Sequence, residues 1–141
     1  MTERKPKQVV LCVDDNLEVL QALRRQLRGG LDGVARVEVA SSAEKALDRM
    51  EVLAEAGRNG VVIVSDWLMP GLRGDEFVAQ IKQRFGEIPV VVLSGHITLE
   101  ATDILNNLPQ VLKILPKPWA GDELLSLVRT GLQQTETQRT E

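Results

Sequence analysis

Asp14-Asp15, Asp66, Ser94 and Lys117 are the positions where this chain could do chemistry, and each follows a short apolar run. The acidic pair comes after Gln8–Val13, Asp66 after Val61–Ser65, Ser94 after Val90–Leu93, and Lys117 after Val111–Pro116. Three carboxylates gathered in one place repel one another, so their cluster calls for a cation. A hard divalent ion with oxygen ligands fits, and Mg²⁺ (or Mn²⁺) is content with a few protein ligands plus water. An ammonium group and a hydroxyl beside that ion would complete the surroundings of an anion bound at Asp66. Phosphoryl chemistry asks for little beyond such positioning and charge neutralisation.

Whether these groups meet depends on the elements that carry them. The run Val61-Val62-Ile63-Val64 is apolar and largely β-branched, as in a strand buried on both faces. Gln8–Val13 and Val90–Leu93 have the same character, Val111–Leu115 forms a fifth strand, and Val34–Ala40 alternates like a half-buried edge strand. Between them, Leu17, Leu20, Leu23 and Leu27 recur at helical spacing, with Gly29-Gly30 as the expected stop. Ser41 and Glu44 have the spacing of a capping box for a second helix running to about Ala56. Gly57–Gly60 leads into the Asp66 strand, and Pro70-Gly71 predicts a turn after it. A third helix carries Phe77, Val78, Ile81 and Phe85, and a short fourth runs from about Thr98 to before Pro109. A fifth carries Leu124, Leu125, Val128 and Leu132. The unit βα repeated five times predicts an α/β fold, a doubly wound five-stranded parallel sheet with helices on both faces. The carboxyl ends of such strands line one crevice, which would collect all the chemical positions.

The chain has 141 residues, enough for one ordinary domain. Residues 8–133 are assigned to it, 1–7 to a polar N-terminal extension, and 134–141 to a polar tail or the start of a linker. The net charge is −3 with scattered positive residues, so direct nucleic-acid binding is not expected. No apolar run is long enough to cross a bilayer, and the N-terminus lacks a signal peptide's apolar core, so a cytoplasmic location is expected. Cys12, the single cysteine, lies inside an apolar strand and is expected to be an inert buried thiol. His96, the only histidine, is assigned to a surface loop. No glycine-rich phosphate loop follows the first strand, which disfavours a nucleotide-binding protein.

The ordered set, an acidic pair after strand one, Asp66-Trp67-Leu68-Met69-Pro70-Gly71, Ser94, and Lys117-Pro118, resembles the receiver domain of two-component response regulators over roughly residues 8–133. The resemblance implies the flavodoxin-like receiver fold, with Asp66 as phosphoacceptor. It implies that Asp15 ligates Mg²⁺ directly, Asp14 acts largely through water, and the Trp67 carbonyl is a further ligand. Ser94 and Lys117 would bind the phosphoryl oxygens. The phosphoryl donor would be a sensor histidine kinase or a histidine phosphotransfer protein, and the output an attached domain, an effector protein or a homodimer through the helix-four, strand-five, helix-five face. The protein would be a signalling phosphoacceptor rather than an enzyme, with slow self-dephosphorylation because Leu68 and His96 flank the path of an attacking water. The chain departs from the family pattern at Ile114, where many receivers carry the Tyr or Phe of an aromatic switch. Two rival readings stand beside this one. One is a phosphorylation-independent receiver-like interaction module, to which Ile114 points. The other is a haloacid-dehalogenase-type phosphatase, which needs a second aspartate where this chain has Leu68.

Overall fold

The computed structural model describes residues 8–57, 60–95 and 98–140, the last five of these for their backbone only. Three strands, β1 (Gln8–Val13), β3 (Val61–Asp66) and β6 (Val90–Ser94), are buried along their whole length. Side chains alternate across a strand, and here both faces are apolar. Val9, Leu11 and Val13 enter a layer with Ala46 and Met50 of α2 (Ala43–Glu55), Phe77 of α3 (Gly74–Phe85) and Leu105 of α4 (Leu99–Asn106). Val10 and Cys12 enter the opposite layer, with Leu20 and Leu23 of α1 (Leu17–Gly30) and Leu124 and Val128 of α5 (Gly121–Thr140). Each such aliphatic side chain contributes about 1.5–3 kcal/mol by leaving water. Burial also pushes the Cys12 thiol up to about 12, so it stays protonated, as expected of an inert thiol.

With β2 (Ala35–Ala40) and β7 (Val111–Pro116), the sheet has the order β2-β1-β3-β6-β7, and every pair is parallel. The chain leaves β1 for the β2 edge and then returns to the other side of β1. That reversal opens a crevice between the carboxyl ends of β1 and β3. Val13 stands opposite Ser65, so the next residues along, Asp14 and Asp66, emerge side by side. Two short strands, β4 (Leu68–Met69) and β5 (Leu72–Arg73), form an antiparallel ribbon around Pro70-Gly71, with Gly71 at φ +88° where a side chain would be strained. No helix among the described residues is long and apolar enough to cross a membrane.

Of three local expectations, one holds and two are corrected. α1 ends at Gly30 with Leu31 as its C-cap, and Gly33 makes the following turn at φ +76°. Gly30 has a packing role, since a Cβ there would lie 2.5 Å from Leu125 Cδ2 of α5. The N-cap of α2 is Ser42 rather than Ser41, its hydroxyl accepting the Lys45 N–H at 3.1 Å. The last helix does not fade after Leu132; α5 continues to Thr140. Thr135 is buried there, donating to the Leu132 carbonyl at 2.7 Å and accepting from Gln8 Nε2 at 3.2 Å. A polar residue without apolar periodicity is held because its hydroxyl is satisfied on both sides. The N-terminal extension and two loop residues, Arg58 and Asn59, lie outside the described residues.

Gly74 links this scaffold to the crevice. Its N–H donates to the Trp67 carbonyl at 2.9 Å, and a Cβ there would come within 2.6 Å of Trp67 Cε3 and 3.2 Å of the Trp67 Cα. Gly74→Ala must therefore displace the residue next to Asp66. It is expected to cost about 1–3 kcal/mol, as overpacking does, read as a lower urea midpoint. An unchanged midpoint would show that this close approach is not needed.

Candidate phosphoryl and metal site

Asp14 is fully buried at the end of β1. Its Oδ1 accepts the Asn16 N–H at 2.9 Å and its Oδ2 accepts from Lys117 Nζ at 2.7 Å. The same ammonium lies 3.3 Å from Asp66 Oδ1. Asp15 stands exposed at the rim, yet one carboxylate oxygen from each of Asp14, Asp15 and Asp66 falls within 4.8 Å of the others. Asn16 then caps α1, its side chain accepting from the Glu18 and Val19 N–H groups, so the acid pair and the helix start are set by one turn. Lys117 is placed by its backbone, whose N–H donates to the Ser94 carbonyl at 2.9 Å, and the Lys117-Pro118 bond is cis. Ser94, buried at the end of β6, pairs in register with Pro116. The crevice thus brings together Asp14, Asp15, Asp66, Ser94 and Lys117.

The electrostatics reflect an excess of negative charge. Burial and the neighbouring Asp14 charge hold the Asp66 carboxyl above the usual carboxylate range, against the opposing pull of Lys117 and the Leu68 N–H. At Lys117, burial acts to lower the pKa, but its hydrogen bonds and charge contacts with Asp14 and Asp66 outweigh it, and the net shift is upward. One ammonium answers three carboxylates. A divalent cation with oxygen ligands fits this donor set.

The Trp67 carbonyl accepts the Gly74 N–H at 2.9 Å, and the indole is buried in the layer with α2, α3 and α4. That bond makes Trp67 and Gly74 a hydrogen-bonded pair in the ribbon, so the next pair, Leu68 and Arg73, turns its backbone groups outward. The Leu68 N–H accordingly bonds the Asp66 carboxyl. In extended backbone the Leu68 carbonyl faces the same way, toward the acids. The Leu68 carbonyl is thus a candidate ligand beside the cluster, while that of Trp67 is engaged by Gly74. The signal for it was the Pro70-Gly71 turn, since a two-residue hairpin loop fixes which flanking residues pair.

Ile114 is half-buried and packed against the layer of α2, α3 and α4. The Leu68 side chain is 57% exposed beside the crevice. His96 lies outside the described residues.

The raised Asp66 pKa gives a signed prediction. A carboxyl whose folded pKa lies above its unfolded one adds stability at pH below the unfolded value, and loses it as pH rises through the folded value. In metal-free protein, Asp66→Asn, which stays neutral, should gain melting temperature relative to wild type as pH rises from below the carboxylate range to 7. Thermal melts across that range check it, and a relative loss by the variant would contradict the assigned charge balance.

The response regulator receiver domain model matches residues 10–129. The hydrogenase transcriptional regulatory protein HoxA of Cupriavidus necator is 36% identical over 126 residues, covering 88% of this chain and 24% of that protein. The DNA-binding transcriptional regulator NtrC of Escherichia coli is 30% identical over 132 residues, covering 93% of this chain and 26% of its own length. The chain thus spans about a quarter of these relatives. Among solved structures, the signal receiver domain of an HD domain-containing protein from Pseudomonas fluorescens Pf-5 superposes with TM-score 0.81 at 23% identity, over 100% of this chain and 98% of that one. The response regulator StyR gives TM-score 0.75 at 28% identity, over 97% of this chain and 64% of its own. With that match over most of its length, and with the acid–lysine crevice at the expected strand ends, the chain belongs to the response regulator receiver domain family.

Proposed function

We propose that Asp66 is the phosphoacceptor of this receiver, taking a phosphoryl group from a histidine kinase or a histidine phosphotransfer protein. The observation that carries this is Lys117 Nζ bridging Asp14 and Asp66, with Asp15 in ligand range of both. In the transfer, an Asp66 carboxylate oxygen forms a bond to phosphorus as the phosphorus–nitrogen bond of the donor breaks. Asp14, Asp15 and Asp66, with the Leu68 carbonyl, are the residues that would hold Mg²⁺ or Mn²⁺, Asp14 largely through water. When bound, the ion supplies positive charge to the transferring oxygens. Lys117 neutralises charge on the Asp66 side, and with the Ser94 hydroxyl it would bind phosphoryl oxygens.

The complete acid and lysine set favours this reading over a phosphorylation-independent module. Transmission would pass through the face of α4, β7 and α5, where dimerisation or a partner would meet it. Ile114 offers no aromatic ring to move there. HoxA and NtrC are named as transcriptional regulators; control of such an output by this receiver is a proposal of the same standing, as is a cytoplasmic setting.

Incubation with acetyl phosphate and Mg²⁺ tests the assignment. Wild type should gain one phosphoryl group by intact mass, and Asp66→Asn should gain none. Label persisting on the variant, at Asp15 for instance, would overturn the assignment.

The lifetime of the product follows from Leu68, whose side chain offers no hydrogen bond to orient an attacking water. Self-dephosphorylation is expected to be slow. Leu68→Asn should accelerate it on the order of tenfold, the worth of about one good hydrogen bond. The decay of phosphorylated protein after donor removal measures this; equal rates in the two proteins would contradict it.

A further inference from the structure

Lys117 stands at the start of the loop between β7 and α5, and that loop is tied to α1 at a second point. The Trp119 ring packs into the layer shared by α1 and α5, and its indole N–H donates to Gln26 Oε1 at 2.7 Å. The Gln26 amide fits beside Gly121, the first residue of α5, where a Cβ would come within 2.7 Å of Gln26 Nε2. Gln26 is thus set between Trp119 and Gly121, one on each side of Ala120.

The same helix begins directly after the acid pair, capped by Asn16. With a rise of about 1.5 Å per residue, Gln26 lies about 15 Å along a rigid rod from that cap. The loop is therefore fastened to one rod twice, by the Lys117 ammonium on Asp14 and by the Trp119 indole on Gln26. If Lys117 turns from Asp14 to a phosphoryl group on Asp66, the first fastening opens. The second remains, and it keeps the lysine backbone where the ammonium can reach.

We propose that Gln26 is a positioning residue for Lys117, acting through its hydrogen bond to Trp119 across the face of α1. This rests on the phosphoacceptor reading given above. Gln26 touches neither the acids nor the lysine, so its effect should fall on the rate of phosphoryl transfer and spare the binding of Mg²⁺ by the carboxylates.

The test is the rate of phosphorylation by acetyl phosphate at saturating Mg²⁺, with Mg²⁺ affinity measured separately from the ion's effect on melting. Gln26→Leu and Trp119→Phe should each slow transfer by about two- to tenfold, the range one neutral hydrogen bond commands. The double variant should be no slower than the slower single, because both remove the same bond. Gly121→Ala should slow transfer too: its Cβ meets only the far end of a flexible side chain and displaces Gln26 without unfolding the helix. Gln26→Glu, which keeps an oxygen to accept the indole N–H, should retain the wild-type rate. Wild-type rates in Gln26→Leu, additive losses in the double variant, or a loss of Mg²⁺ affinity matching the loss of rate would each overturn the proposal. A wild type that takes no label would instead remove the phosphoacceptor reading itself, and the two failures are told apart by the wild-type control.

Discussion

Lys117 and the acids it faces are the constraint around which the molecule is built. Asp14 and Asp66 emerge side by side because β1 and β3 are neighbours in register, and Asp15 lies within 4.8 Å at the rim. Holding these charges in a partly buried crevice is unfavourable, as the raised Asp66 pKa records. The opposition is met from both sides of the sheet. Asn16 and the start of α1 fix the Asp14 backbone, and the Gly74 contact fixes Trp67 behind Asp66. The Ser94 carbonyl and the Trp119–Gln26 bond fix the loop that bears the lysine. The apolar layers make such placement stiff: close-packed side chains on both faces leave the strand ends little freedom to move apart.

Much of this was legible in the sequence because the central strands are buried on both faces. Val61–Val64 and Val90–Leu93 are continuous apolar runs, and a polar residue ending such a run has to sit at the sheet edge. That rule placed Asp14, Ser94 and, one residue beyond Ser65, Asp66 near the sheet edge. What escaped was set by contacts distant in the chain. The packing role of Gly30 is one such case: Leu125 of α5 occupies the space its side chain would need. Thr135 looks like part of a solvated tail until Gln8 and the Leu132 carbonyl satisfy it. The candidacy of the Leu68 carbonyl is a register effect: adjacent residues of a ribbon point their backbone groups to opposite sides, and a shift of one reverses the assignment.

The site and its output are separable in the same terms. HoxA and NtrC are about four times the length of this chain, and the similarity to them runs over 126 and 132 residues. On the face of α4, β7 and α5 the chain carries Ile114 already packed against the core, together with a strongly exposed Leu99 and the Lys113–Glu123 ion pair between β7 and α5. Position 114 carries no ring on that face.

The claim that an uncompensated acid cluster organises this structure is tested most directly by the melting temperature of the wild-type protein as a function of Mg²⁺. An ion that binds the folded cluster, and finds no preformed site in the unfolded chain, stabilises by RT ln(1 + [Mg²⁺]/Kd), about 1.4 kcal/mol when it is tenfold above Kd. The melting temperature should climb with the logarithm of Mg²⁺ concentration once the Kd is passed. A melting temperature indifferent to Mg²⁺ from micromolar to tens of millimolar would contradict it.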